Sequence, residues 1–268
     1  MIRLTDSDIK TLDRQSSKGN QLKFSKEGMW YKADYLGYEG LAECVVSKLL
    51  SLSNLGLDEY VDYDLETIEY NENVFKGCKS RDFLRDSQLI TLERLIKQRF
   101  NQSLNRVIYT TSDHEERLKT IVDLTERVTG ISNFGEYMCK LLLIDAFFLN
   151  EDRHTHNMAV LLRSDGGYKL CPVFDNGAAL LSDTRMDYPL GGDLFKLMER
   201  AKPKTFGDSF DEQFDIAERL YGCPIRFCFK YDDVERIVNS ADSYSPEIRK
   251  RVIDLLMAQR KKYECYFD

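Results

Sequence analysis

Residues 150–180 read NEDRHTHNMAVLLRSDGGYKLCPVFDNGAAL, and three polar side chains within them decide the fold. Asp152 is followed five residues later by Asn157, and Asp175 stands eighteen residues beyond that. Transfer of a phosphoryl group from a metal-bound nucleotide needs one carboxylate to orient and deprotonate the attacking hydroxyl. It also needs an amide and a second carboxylate to hold magnesium against the phosphates. A short D-x-x-x-x-N loop, a hairpin and then F-D-x-G supply those groups at the separation used by the protein-kinase plan. The spacing makes Asp152 the expected base, Asn157 and Asp175 the expected Mg2+ ligands, and ATP the expected nucleotide.

The flanking sequence supplies the context. Apolar residues line nearly every side of 137–149, so a central buried helix should lead into the loop, with Asn133 and Glu136 as a capping box. Residues 158–162 and 168–174, joined by Ser164-Asp165-Gly166-Gly167, read as a hairpin. Further upstream, 21–24 and 29–33 flank a turn at Gly28, a periodic helix covers 38–53, and strands follow at 60–70 and 74–78. Helical periodicity takes over from about residue 86, over 89–99 and 113–129, and resumes near 194, 211, 231 and from 246 onward. The expected fold is α+β and bilobal, like a protein kinase. Residues 1–83 make a small β-rich N-lobe, and 84–268 make a larger, mostly helical C-lobe with the catalytic and metal-binding loops.

Other residues suit the same chemistry. Lys32 lies on a strand just before the N-terminal helix and can reach nucleotide phosphates as a point charge, steadied by a glutamate on that helix. Glu39 and Glu43 are one helical turn apart, and both are candidates; Glu43, deeper in the helix, is preferred. Ser16-Ser17-Lys18-Gly19-Asn20-Gln21 precedes the first hairpin, and Ser17 and Gly19 could offer backbone N–H groups to phosphates. His154 is expected to point at the phosphates or order Asp152, while Arg153 could pair with a phosphate or, the preferred reading, brace the loop against a carboxylate. The basic run 196–204 could meet an anionic substrate, with a solvated helix end as the default reading. H-x-H at His154 and His156 could suggest a zinc hydrolase, but three histidines in the chain leave such a site short of ligands.

Composition excludes other classes. A net charge of −7 argues against direct nucleic-acid binding. The longest apolar run, 141–149, is broken by Asp145 and too short to span a bilayer. Seven scattered cysteines without C-x-x-C spacing fit reduced thiols in a cytoplasmic protein rather than a disulfide or zinc framework.

The order Lys32, helix glutamate, D-R-H-x-x-N and F-D-N-G resembles the HipA-like bacterial serine/threonine kinases, most nearly their compact CtkA-type members. The D-R-H-x-x-N string is also similar to that of phosphatidylinositol 3- and 4-kinases. Supporting stretches are YEGLAE at 38–43, GCKSRDF at 77–83, and KPKTF at 202–206 followed by Phe210. The resemblance implies a kinase acting on a Ser/Thr hydroxyl of a protein, as a toxin or effector, with a separate antitoxin or regulator as a partner. It implies Asp152 as base, Asn157 and Asp175 on magnesium, and Lys32 and His154 at ATP. A hinge near Cys78 would bind adenine. Ser16 and Ser17 match a phosphate loop that is autophosphorylated, although K-G-N stands here where relatives carry more glycine or alanine. The protein would stay in a bacterial cytosol or be exported without a cleavable signal. A phosphoinositide or small-molecule kinase, or a kinase-shaped binding module that no longer turns over, are the alternatives.

Overall fold

The structure, a computed structural model, describes residues 1–10 and 21–268. The expected phosphate loop with Ser16, Ser17 and Gly19 lies outside the described residues. By contacts the chain forms two compact units. The first takes Met1–Phe83, Asp175–Ala201 and Arg226–Asp268, and the second takes Leu84–Phe174 and Lys202–Ile225.

The first unit begins with β1 (Ile2–Arg3), β2 (Lys23–Lys26), β3 (Met29–Ala33), α1 (Glu39–Leu50), β4 (Tyr63–Tyr70) and β5 (Asn73–Arg81). The strands form one sheet in the order β1-β4-β5-β3-β2, with only the β1–β4 pair parallel. Both hairpins turn on two residues of positive φ, Glu27 and Gly28 in one and Asn71 and Glu72 in the other. Such turns match the twist of the flanking strands and fix their register. Phe24, Tyr31, Ala33 and Ile68 cluster together with Leu4. Pleating therefore sends Lys32, between Tyr31 and Ala33, to the opposite face, with Cys78 across from it.

Helix α1 packs on β4 and β5 through Leu41, Ala42, Val45, Val46 and Leu49, all fully buried. Two glycines permit the close approach. A Cβ on Gly40 would lie 2.5 Å from the backbone carbon of Gly77, and one on Gly77 would lie 2.1 Å from the carbonyl oxygen of Lys32. The first turn of α1 is thereby pressed onto β5.

Just past β3, Asp34 accepts hydrogen bonds from the Gly40 N–H at 2.6 Å and the Tyr244 hydroxyl at 2.8 Å. Desolvation raises its pKa to about 7 from 3.8, against the opposing Gly40 bond. The folded protein therefore holds a proton that the unfolded chain gives up, and stability falls as pH rises from near 4 to near 7. Above that range the loss is constant. Asp34→Asn should match the wild type near pH 4 and become steadily more stable than it up to pH 7, by at most about 1.4 kcal/mol per pH unit. Thermal melts of both proteins across this range check it; parallel curves would count against a proton on Asp34.

The second unit holds β6 (Gln88–Thr91), α2 (Leu92–Phe100), α3 (Leu104–Thr110), α4 (His114–Thr129), α5 (Phe134–Phe148), β7 (Ala159–Leu162) and β8 (Tyr168–Leu170). The chain returns to the first unit for α6 (Leu194–Arg200), adds α7 (Phe210–Tyr221) to the second, and ends in the first with α8 (Tyr231–Asn239) and α9 (Pro246–Lys262). Helix α5 is the core of the second unit, buried at all but two positions and packed against α4 and α7. Among the described residues no helix is long and apolar enough to cross a membrane.

Four local expectations need correction. The helix expected over 89–99 is a strand followed by a helix. Leu89 and Ile90 pair with β7, and Thr91 then caps α2 by accepting from the Arg94 N–H. Helix α3, behind its Ser103 cap, was not anticipated. Strand β5 continues three residues past Cys78, to Arg81. Finally, α5 starts at Phe134 without a side-chain bond from Asn133. Glu126, near the end of α4, accepts from the Phe134 and Gly135 N–H groups instead, at 2.9 and 3.4 Å. A carboxylate from a neighbouring helix has displaced the local cap.

Candidate active site

In the first unit the sheet, α1 and the F-D-N-G turn bring together two lysines and two acids. The Lys32 ammonium donates to Oε1 of Glu43, and to Oδ1 of Asp175 at 2.7 Å. Lys23 approaches the other Asp175 oxygen at 3.6 Å. Glu43 is fully buried, and its second oxygen accepts from the Asn176 N–H at 2.8 Å. One carboxylate thus ties strand β3 to the turn that carries Asp175. Burial alone would push the Lys32 ammonium down in pKa, but the Asp175 and Glu43 carboxylates outweigh it and hold it well above its usual value. Asp175 has a φ of 59°, a left-handed conformation that aspartate tolerates better than most residues.

Glu39, the alternative partner, points elsewhere. Its carboxylate accepts from the N–H groups of Leu36 at 2.6 Å and Gly37 at 3.0 Å, closing the turn into its own helix. Cys78 is buried beside Lys32, and burial raises its thiol far above the usual range. It sits inside β5, so the strand end expected there lies further on.

In the second unit, α5 ends on Leu149, whose φ is 55°. The reversal drops residues 150–157 into a tight loop against the helix end. Asp145, fully buried near the C-terminus of α5, organises that loop. It accepts from Arg153 Nε at 3.0 Å and Nη2 at 2.9 Å, and from the Asn150 amide at 3.1 Å. Burial raises the Asp145 carboxyl, opposed by Arg153. The remaining Arg153 nitrogen, Nη1, donates to the carbonyls of Asn157 at 3.2 Å and Phe174 at 2.8 Å. Arg153 therefore braces the loop from inside.

The Asn157 amide nitrogen donates to the Asp152 carbonyl at 3.1 Å, which turns its amide oxygen the other way. Nδ1 of His154 accepts from the His156 N–H at 3.2 Å, so the neutral ring carries its proton on Nε2, 3.8 Å from Asp152. Asp152 itself is mostly buried and meets Lys204 at 2.5 Å. Asp145 and Lys204 were not singled out as site residues in the sequence. Asp145 had a signal: a lone charge inside an apolar helix must find a partner. Lys204 had only the basic run and the KPKTF stretch, neither of which points to Asp152.

Among the described residues no three His, Cys, Asp or Glu side chains gather into a preformed metal site. Magnesium does not need one. It usually takes one or two carboxylates and completes its shell with phosphate oxygens and water.

Among solved structures, the chain is similar to the Helicobacter pylori proinflammatory kinase CtkA, with a TM-score of 0.62 and 15% identity over 97% of this chain and 95% of that one. It also matches a chain from the Shewanella oneidensis MR-1 toxin–antitoxin complex of HipA, HipB and operator DNA. There the TM-score is 0.49 and the identity 11%, over 97% of this chain and 63% of that one. No protein-family model matches the chain, and no curated protein does. The mixed α/β fold is therefore kinase-like, shared with CtkA from end to end; at this identity the likeness speaks for the fold alone.

Proposed function

We propose that this chain is a magnesium-dependent kinase that moves the γ-phosphate of ATP to a Ser/Thr hydroxyl of a protein. The observation that carries the reading is Lys32, buried between Glu43 and Asp175. Buried charges are an expensive way to stabilise a fold. A shifted lysine held by two acids from separate elements is better explained by an anionic ligand that it serves.

Each residue then has a task. Lys32 meets the nucleotide phosphates, and Glu43 holds it there. Asp175 and the outward amide oxygen of Asn157 suit a hard cation. Magnesium, when bound, would neutralise charge on the phosphate oxygens. Asp152 aligns the acceptor hydroxyl and takes its proton. Arg153 and Asp145 fix the loop that presents Asp152, and His154 directs an N–H towards it. Ser17 and Gly19 would form a phosphate loop, with Ser17 as a site of self-modification, and the adenine contact moves from Cys78, paired inside the sheet, to the backbone past the end of β5 at Arg81.

A protein acceptor is preferred to a membrane lipid because the chain is acidic overall, whereas lipid-surface enzymes gain from basic patches. The test is transfer of label from γ-labelled ATP with magnesium, to the protein itself, to a serine-rich unstructured protein, or to phosphoinositide vesicles. Label on serine or threonine is expected. Label on lipid alone would overturn the acceptor class. Nucleotide binding with no transfer in any arm would instead favour a binding module.

A further inference from the structure

Lys204 brings a cation to Asp152 from a distant part of the chain. Its ammonium lies 2.5 Å from Oδ1 of Asp152, across a sequence separation of 52 residues. The backbone that carries it is firmly placed. Thr205 Oγ1 donates to the Arg153 carbonyl at 2.8 Å, so consecutive residues of this segment hold consecutive residues of the loop. Arg117 donates through Nη1 to the Thr205 carbonyl at 2.8 Å, and through Nη2 to that of Thr111 at 2.7 Å. Thr205 and Phe206 are buried, and Pro203 restricts the chain just before. The Lys204 side chain is still 36% exposed. An anchored backbone with a part-exposed tip leaves room for the ammonium to shift when substrate arrives.

We propose that Lys204 is a catalytic residue that contacts the transferring phosphoryl group. The inference rests on the kinase reading above. A base stands about 3 Å from the hydroxyl oxygen it serves, and that oxygen about 3–3.5 Å from the phosphorus it attacks. An ammonium touching the base is therefore at most about 9 Å from the γ-phosphorus, and nearer for any bent arrangement. Rotation of a four-carbon stem covers the rest.

During transfer the hydroxyl oxygen bonds to phosphorus and gives its proton to Asp152. The bond from phosphorus to the bridging oxygen breaks, and its electron pair stays on ADP. Charge meanwhile spreads over three equatorial oxygens, where a compact ammonium is most effective. The loop NEDRHTHN contains no lysine, and its arginine is turned inward to Asp145. Lys204 supplies what the loop lacks. Without substrate, its charge rests on the Asp152 carboxylate.

The test compares wild type, Lys204→Met and Lys204→Arg in the full chain. Each is titrated with the ATP analogue AMP-PNP and with ADP, both with magnesium, and each is assayed for single-turnover transfer. Lys204→Met should weaken AMP-PNP by about tenfold, the worth of one charged hydrogen bond, while ADP affinity stays unchanged. Transfer should fall by about a hundredfold, and arginine should recover much of the AMP-PNP affinity. A thermal melt matching wild type shows that the fold is intact; if the methionine variant melts early, the arginine variant and the ratio of the two nucleotide affinities still decide. Equal weakening of both nucleotides, or slow transfer with that ratio unchanged, would reduce Lys204 to a positioning residue and overturn the proposal. If wild type binds neither nucleotide, the kinase reading fails first, a distinguishable outcome.

Discussion

Asp152→Asn is expected to slow phosphoryl transfer by about 10²- to 10⁴-fold, the usual worth of a positioned general base, with nucleotide affinity little changed. Asparagine keeps the shape and still accepts from Lys204, whose ammonium lies against Oδ1. It cannot take a proton. On the proposed reading, binding rests on other side chains, chiefly Lys32, Asn157 and Asp175, so the loss should fall on the chemical step. Single-turnover transfer and a nucleotide titration on the same preparation separate the two effects. Transfer at the wild-type rate would remove Asp152 from its assigned role.

The second large effect is on stability. Asp145 and Arg153 are a buried, doubly hydrogen-bonded ion pair with exposures of 0% and 4%, so removing either member strands the other charge. Asp145→Ala and Arg153→Ala should each cost about 3–5 kcal/mol. The pair Asp145→Leu with Arg153→Met should recover much of that loss, because apolar groups of similar volume leave no charge unpaired. Activity should stay low in the double variant, since the Asn157 and Phe174 carbonyls lose their Arg153 donor. Chemical denaturation of the four proteins gives the loss in each single variant and its recovery in the double one. Single losses below about 1 kcal/mol, typical of exposed pairs, would mean that water reaches the loop.

Much of the fold is legible in the sequence. Alternation and turn residues located the β2–β3 and β4–β5 hairpins, and apolar residues on all sides of 137–149 marked the buried helix. Spacing alone singled out Asp152, Asn157 and Asp175, because motif residues lie close in sequence. Periodicity left Glu39 and Glu43 open, since both lie on one helix face. The close approach of Gly40 to Gly77 and the turn-closing bonds of Glu39 distinguish them in space. Residues 88–92 misled for a related reason: Leu89, Ile90 and Leu92 satisfy a helical stripe as well as a strand, and only pairing with β7 decides. The Lys204–Asp152 and Glu126–Phe134 contacts join residues that no local pattern links. Long-range partners of this kind are set by tertiary packing, which a single sequence does not display.

Asp175 and its partners are expected to hold a nucleotide through magnesium. The most direct measurement is calorimetric titration of AMP-PNP into wild type and Asp175→Ala, first with magnesium and then with the metal chelated. Wild type should bind strongly only when the metal is present, and the variant should bind weakly and equally under both conditions. Wild-type binding indifferent to magnesium, or a variant that keeps the full metal dependence, would contradict it.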